Sequence, residues 1–255
     1  MGYRTVRQLI ILIIVFTVLA GSGLLIYSRM SPDPTCFDNK KNQEEEGIDC
    51  GGLCANCELR TKKPIQVYFA NFVEIATSTY EMVARVKNPN PRLLASSFVY
   101  EFKLFDKNGV SADSVSGKSF LYPGETAHIL EFGKKTTKQI KTVEFSINDA
   151  DTEWVYNNDH EPDLIAGEKK VKIENPQNGV ISTHLYLKLF NRSPFDQKNI
   201  NVSALVFDAN QNITALNNTV VEILNNDESV ELDFIWSGEI KINAENVLIE
   251  PRVRF

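Results

Sequence analysis

Hydrophobic residues follow two different patterns along this chain. An unbroken apolar run, QLIILIIVFTVLAGSGLLIYS, lies between Arg7 and Arg29 and contains no charged residue. From Ile65 onward, apolar and polar residues instead alternate in short runs that end at turn-forming residues, a period typical of half-buried β-strands. The pattern predicts an N-terminal transmembrane helix followed by a mainly β body.

The apolar run is long enough to cross a bilayer. Its twenty-one residues span roughly 30 Å as a helix, which is about the thickness of the hydrocarbon layer. A cleaved signal peptide is the alternative, because the small residues at 20–23 suit a cleavage site. Apolar residues resume at Leu24, so we predict that residues 1–29 are a cytoplasmic head and an uncleaved membrane anchor.

The short head carries a dense positive charge from Arg4 and Arg7. The positive-inside tendency therefore predicts a cytoplasmic N-terminus. The expected localisation is the cell membrane, as a single-pass protein that contacts the lipid bilayer through this helix and has its bulk on the extracytoplasmic side.

The alternating runs form two groups, and the second begins about a hundred residues after the first. This spacing predicts two tandem immunoglobulin-like β-sandwiches rather than a solenoid of short repeats. The predicted domains after the anchor are a cysteine-rich segment (30–62), a first sandwich (63–150), a linker (151–167) and a second sandwich (168–255).

The phase of the alternation predicts which side chains face each core, and it puts Glu81, Arg85 and Lys87 on the opposite face of their strand. The core-facing residues of the first sandwich are Tyr80, Met82, Ala84, Val86, Phe98, Tyr100, Phe102, Leu104, His128, Leu130, Phe132, Val143, Phe145 and Ile147. Those of the second sandwich are Leu185, Leu187, Leu189, Val202, Ala204, Val206, Val230, Leu232, Phe234, Val247, Ile249 and Val253. Asp106 and Asp208, each at a strand end, are predicted to hydrogen-bond the turn that follows.

The composition narrows the classes of function. The 27 basic and 33 acidic residues are well mixed and give a formal net charge of −6, so no extended basic surface is available to a nucleic acid. The three histidines are far apart in sequence, and no nucleophile, phosphate-loop or metalloprotease motif is present. We therefore expect no catalytic residues and no enzymatic activity.

The four cysteines are Cys36, Cys50, Cys54 and Cys57. Such a set with a closing CxxC could bind zinc in a reducing compartment, but an extracytoplasmic location oxidises thiols and favours two disulfides. Three pairings are possible, and the sequence does not choose among them. The glycines at 47, 51 and 52 are expected to let the backbone turn sharply between the bridges.

Acidic and amide side chains are dense in the same segment. They are hard oxygen ligands, of which calcium takes six to eight. The residues predicted for a calcium site are Asp38, Asn42, Glu44 and Asp49. The spacing is not that of an EF-hand, and a solvated acidic turn without metal is the alternative.

The cysteine segment resembles a module of bacterial surface and secreted proteins with the pattern C-x-D-G-x-x-N-Q-G-E-T-G-x-D-C-G-G-x-C-x-x-C. The residues that match it are Asn42-Gln43, Glu45, Gly47, Asp49-Cys50-Gly51-Gly52, Cys54 and Cys57. Asn39 and Glu44 stand where the pattern has glycine, and Glu46 where it has threonine. The resemblance implies an exported bacterial protein.

A second resemblance lies in the first sandwich. The strand Phe102-Lys103-Leu104-Phe105-Asp106 resembles the motif of the FxLYD family, with Phe105 in place of tyrosine, and Pro123-Gly124-Glu125 is similar to a turn of that family. The motif residues are Phe102, Leu104, Phe105, Asp106, Pro123, Gly124 and Glu125. The resemblance implies an immunoglobulin-like sandwich of about seven strands without an enzymatic site.

Together these patterns predict a membrane-anchored extracytoplasmic binding or structural protein that presents two β-sandwiches to a protein or glycan partner at the cell surface. A subunit of a membrane or envelope assembly is one alternative. A metal- or redox-active protein that acts through the four cysteines is another. No cofactor is expected apart from calcium at the acidic segment, and no nucleic-acid partner is expected.

Overall fold

The computed structural model describes residues 2–30, 35–157, 161–175, 179 and 181–254. The chain divides into two compact units, Met1–Cys57 and Glu58–Phe255. As predicted, the protein is mainly β, with one N-terminal apolar helix, two disulfides and several sheets that pack as sandwiches.

The first unit begins with helix α1, Tyr3–Met30. The part Tyr3–Ser28 is long and apolar enough to span a bilayer, and none of its most apolar stretch is buried within the protein. A signal sequence has the same length and composition. The helix therefore fits either a membrane anchor or a targeting segment.

The first sandwich comprises six antiparallel strands: β1 Gln66–Ala76, β2 Thr79–Lys87, β3 Leu93–Asp106, β4 Ser111–Leu121, β5 Thr126–Lys135 and β6 Ile140–Tyr156. One sheet has the order β1-β2-β5 and the other the order β4-β3-β6. Apolar side chains from both sheets form its core, among them those of Met82, Phe98 and Phe102.

The second sandwich comprises seven strands: β7 Leu164–Ala166, β8 Lys170–Glu174, β9 Ser182–Asn191, β10 Gln197–Phe207, β11 Ile213–Leu224, β12 Ser229–Ser237 and β13 Val247–Arg252. In one sheet β9 pairs with β12 on one side and with β7 and β8 on the other, and the second sheet has the order β11-β10-β13. The two sandwiches share one strand arrangement. Sheet β8-β9-β12 of the second sandwich corresponds to sheet β1-β2-β5 of the first, and sheet β11-β10-β13 corresponds to sheet β4-β3-β6. The first sandwich has six strands where the FxLYD resemblance implies about seven.

Within the predicted linker at 151–167, the structure places the end of β6 and all of β7. Residues 158–160 of this stretch, which include His160, lie outside the described residues.

The predicted core faces agree with the two hydrophobic cores, with one exception. On β5, Ala127 and Ile129 pack into the first core, so the prediction that His128, Leu130 and Phe132 face it was wrong. The reason is that β5 has apolar residues at both parities, and alternation cannot set the phase of a strand that is buried on both faces.

The outer face of sheet β1-β2-β5 is itself covered, because it packs against the outer face of sheet β11-β10-β13. Val83 on β2 and Leu205 on β10 are fully buried in a separate apolar cluster, together with Leu216 on β11. Each such side chain contributes roughly 1.5–3 kcal/mol on burial. The two sandwiches therefore form one body with four sheet layers, and Glu81 lies on a buried face.

Candidate functional site

The cysteine segment forms both predicted disulfides. Cys36 pairs with Cys54 and Cys50 pairs with Cys57, which resolves the choice among three pairings. A single short bridge between Gly47 and Cys50 is its only β-pairing among the described residues. Cys50 is the only buried apolar residue among the described residues of this segment, which therefore lacks a hydrophobic core and depends on the two crosslinks.

The three glycines of this segment are required for two reasons, backbone conformation at Gly51 and Gly52 and space at Gly47. Gly51 and Gly52 have left-handed backbone angles, φ 80° and 59°, which side chains rarely adopt. A Cβ atom on Gly52 would also lie 2.6 Å from the carbonyl oxygen of Glu44. Gly47 has no positive φ, but a Cβ there would lie 2.9 Å from the sulfur of Cys50, so it is needed for space between the bridges.

The buried acids of the segment accept hydrogen bonds from the backbone. Asp49 accepts from the amide of Asn39 at both oxygens, 3.0 and 3.1 Å. Glu45 Oε2 accepts from the amides of Asp49 at 3.0 Å and Asn42 at 3.2 Å. These carboxylates replace the peptide hydrogen bonds that a regular element would supply.

The four residues predicted to bind calcium are only partly brought together. Asp38 accepts a 2.7 Å hydrogen bond from Asn42 Nδ2, which is the main cause of a lowered pKa of Asp38. The carboxylate of Asp49 already accepts hydrogen bonds from the backbone amide of Asn39, and Glu44 is exposed. Calcium binding by this set stays a prediction.

One group of metal-type ligand atoms does converge in the part of the chain that the structure describes: Cys36, Glu45 and Cys54. Both sulfur atoms belong to the same disulfide, and Glu45 Oε1 lies 3.1 Å from Cys54 Sγ. A disulfide sulfur is not a thiolate, so a zinc or redox role for this segment requires reduction first.

The motif residues of the first sandwich occupy structural positions. Phe102 and Leu104 are fully buried in the core, and Phe105 is half-buried. Asp106 accepts hydrogen bonds from the backbone amides of Asn108 at 2.8 Å and Val110 at 3.0 Å, and these bonds lower its pKa. Asp208 binds the turn after β10 in the same way, as predicted for both aspartates.

The second part of that motif connects the two sandwiches. Gly124 has φ 73° in a tight turn after Pro123, and Glu125 Oε2 accepts from the amide of Tyr122 at 2.6 Å. Its other oxygen pairs with Nε of Arg252, on β13, at 2.9 Å. The sequence offered no signal for this pairing, because its partners are far apart in the chain.

A second polar pair crosses the same junction. The backbone amide of His128 donates to Glu250 Oε1 at 2.8 Å, and ring Nδ1 of His128 lies 2.7 Å from Glu250 Oε2. Arg252 donates to the carbonyl of Phe120 and lies over its ring at 4.5 Å. Together with the apolar cluster, these contacts fix the two sandwiches against each other.

Glu81 is a buried acid on the same junction. Burial raises the pKa of Glu81 to about 7, while a hydrogen bond from the backbone amide of Leu216 opposes the shift. Its Oε2 atom is buried without a hydrogen-bond partner among the described residues. An ionised Glu81 is therefore poorly stabilised at this position.

A cleft of about 320 Å³ opens beside these contacts, between β4 and β5 of the first sandwich and β10, β11 and β13 of the second. Its basic and amide lining residues are Lys118, Asn199, Asn201, Asn218, Arg252 and Arg254. None of the described residues that line it is acidic. The sequence pattern gives no sign of this cleft, because the cleft exists only once the two sandwiches pack together.

A polar cluster that the sequence analysis also missed lies on the outer face of sheet β12-β9-β8. Ser182 Oγ lies 2.9 Å from Nε2 of His184, and both Asp233 oxygens lie 3.0 Å from its Nδ1. Glu174 lies 3.8 Å from Nε2 as well. Glu174 lies beyond hydrogen-bond distance, so the ring bonds to Ser182 through one nitrogen and to Asp233 through the other. The three side chains form a hydrogen-bond network across the paired strands β9 and β12.

Comparison with known proteins leaves the chain without a family. No family model matches it, and no curated protein matches it. Among solved structures it is similar to the N-terminal CBM22-1–CBM22-2 tandem domain of Xyn10C from Paenibacillus barcinonensis, with 8% identity over 75% of this chain and 84% of that one and a TM-score of 0.14. A score this low carries no argument about fold or function.

Proposed function

We propose that this chain is a single-pass membrane protein whose β-sandwiches face the extracytoplasmic side and bind a glycan or protein partner. The observation that carries the proposal is the cysteine segment, where two disulfides follow closely on the apolar helix. Disulfides persist in oxidising compartments. A segment that depends on them for its fold belongs outside the cytoplasm.

The junction between the sandwiches supports a binding role. Fully buried Val83 and Leu205, the Glu125–Arg252 pair and the His128–Glu250 pair hold the two halves in one arrangement. The cleft between them is thus lined by side chains whose supporting strands are already fixed. Preorganisation of this kind reduces the ordering cost of binding.

We also propose that the first sandwich is an FxLYD-type domain. The burial of Phe102 and Leu104 in the core and the turn contacts of Asp106 are consistent with a motif that stabilises the fold. No motif residue is placed for chemistry on a substrate, which supports a domain without an enzymatic site.

The topology is tested by labelling intact cells. A membrane-impermeant amine-reactive biotin is expected to label lysines of the sandwiches, while an epitope added before Met1 becomes accessible only after permeabilisation. Retention of that epitope on the mature chain distinguishes an anchor from a cleaved signal peptide. Labelling of the sandwiches only after permeabilisation would refute the proposal.

The absence of enzymatic activity is tested at Ser182. We expect a fluorophosphonate probe to leave Ser182 unmodified, because Ser182 lies on a strand paired on both sides, where the backbone amides take part in the sheet and do not form an oxyanion hole. Ser237, near the end of the neighbouring strand β12, serves as the comparison residue in the same mass-spectrometric measurement. Selective modification of Ser182 that is lost in His184→Gln would contradict this expectation.

A further inference from the structure

The cleft between the sandwiches has a charge opposite to that of the whole chain. The chain carries a formal net charge of −6, yet the cleft is lined by Lys118, Arg252 and Arg254 and by no acid among the described residues. Arg252 is held by Glu125. Lys118 and Arg254 are exposed and have no ion-pair or hydrogen-bond partner in the described part of the chain. An anion that enters the cleft therefore meets two unpaired cations.

Three unpaired amides stand beside these cations. Asn199, Asn201 and Asn218 line the cleft, and none of their side chains makes a hydrogen bond to another described residue. All three side chains are exposed, so a ligand in the cleft can reach them. An amide offers two donors and an acceptor, so this lining matches a ligand with many hydroxyl groups.

The cleft also offers one apolar surface. Phe132 lines it and is 37% exposed, whereas the ring of Phe120 is covered by Arg252. Aromatic rings pack against apolar faces while neighbouring polar groups fix orientation. The volume of about 320 Å³ is at the small end of ligand sites, which limits the occupant to a short segment.

We propose that this cleft binds carboxylated sugar residues of an acidic glycan. The inference rests on the proposed extracytoplasmic binding function and names its ligand class. Lys118 and Arg254 pair with the carboxylate, the three amides bind ring hydroxyls, and Phe132 packs against the C–H face of the sugar. An acidic peptide supplies the charge but lacks the hydroxyls that the amides match.

The test uses the purified full-length chain in nanodiscs of zwitterionic lipid, with calorimetric titration of tri-galacturonate. Its methyl ester is the matched neutral ligand, since only the carboxylate charge is removed. We expect tri-galacturonate to bind at least about tenfold more tightly than the ester, and added NaCl to weaken that binding.

Variants locate the ligand. Lys118→Gln and Arg254→Gln are each expected to weaken tri-galacturonate binding about tenfold, and Asn201→Ala by about threefold. Lys141→Gln, an exposed lysine on β6 outside the cleft, is expected to change nothing. Equal binding of acid and ester, or binding unaffected by the Lys118 and Arg254 variants, would overturn the proposal.

Poly-glutamate is the competing probe. If poly-glutamate binds more tightly than tri-galacturonate and the same variants abolish its binding, the cleft is an acidic-peptide site and the glycan assignment is wrong. The purified protein reports on the cleft independently of membrane topology. Failure of the sugar titration with correct surface labelling therefore refutes this inference alone, and the reverse result refutes the proposed topology.

Discussion

At the scale of single residues, backbone angles in the cysteine segment show why the resembled pattern has glycine at two positions where this chain does not. Asn39 and Glu44 occupy positions where that pattern has glycine, and both have left-handed backbone angles, φ 58° and 62°. Asparagine tolerates this region well, but glutamate does not. Glu44 is thus a strained residue that the disulfides hold in place.

Replacing Glu44 by glycine is expected to stabilise the oxidised segment by roughly 0.5–1 kcal/mol, because the left-handed angle then carries no Cβ penalty. This corresponds to a several-fold shift in the dithiothreitol concentration that reduces half of the protein, measured by thiol alkylation and mass spectrometry. Lys41→Gly, at a nearby exposed position without a positive φ, is the control and should make reduction easier. Equal shifts in both variants would contradict the argument.

Glu81 makes the junction sensitive to pH. Its folded-state pKa of about 7 is raised above the ordinary value of 4.5, so the folded protein holds a proton that the unfolded chain releases between these two pH values. The stability contributed by the protonated form is therefore fully present below about pH 4.5 and is lost as the pH rises through 7.

Glu81→Gln removes this dependence. At pH 8 the variant is expected to be more stable than the parent by on the order of 1 kcal/mol, or about 2–4 °C in Tm. The reason is that glutamine stays neutral, whereas Glu81 at this pH buries a negative charge. At pH 5 the difference should be much smaller. The measurement is thermal unfolding of both proteins at the two pH values, and a gain that is the same at pH 5 and pH 8 would refute this role for Glu81.

At the scale of elements, a fully buried asparagine in each sandwich ties strand ends together. Asn88 donates from Nδ2 to the carbonyls of Leu93 at 2.6 Å and Tyr122 at 2.9 Å, which joins the loop after β2 to the start of β3 and the end of β4. Asn191 donates in the same way to Phe195 and Leu224 in the second sandwich. The sequence marks these positions only as turns.

Asn88→Ala is expected to lower the free energy of unfolding by about 2–4 kcal/mol, because it removes the side-chain hydrogen bonds to several buried peptide groups. Urea denaturation followed by tryptophan fluorescence measures the change. Asn210→Ala, in the exposed turn after β10, is the matched control and is expected to stay within about 0.5 kcal/mol of the parent. Similar losses in the two variants would show that Asn88 is not a tie between strands.

At the scale of the whole molecule, the crosslinks and the sandwiches are separate sources of stability. All four cysteines lie within Met1–Cys57, and the unit Glu58–Phe255 contains none. Its stability comes from two hydrophobic cores and from the apolar cluster between the sandwiches. Reduction should therefore act on one unit only.

Adding a phosphine reductant is expected to unfold the segment Cys36–Cys57 and to leave the main thermal transition of the sandwiches within about 2 °C of its original midpoint. Differential scanning calorimetry, with a free-thiol count on the same sample, measures both effects. A cooperative collapse of the sandwiches on reduction would show that the two units depend on each other.

The sequence by itself determined the features that depend on local pattern. Length and apolarity fixed the helix, alternation fixed the β class and most core faces, and the turn contacts of Asp106 and Asp208 followed from short polar side chains at strand ends. The predicted extracytoplasmic location of the four clustered cysteines favoured two disulfides, but the sequence did not indicate which pairs form.

Only the tertiary structure decided the features that depend on residues distant in the chain. The pairing of Cys36 with Cys54, the contact of Glu125 with Arg252 and the cleft lined by Lys118 and Arg254 all require two segments to meet in space. Alternation also failed on β5, because the packing of one sandwich on the other buried both of its faces. A periodic pattern reports whether a face is apolar, and it does not report which partner covers that face.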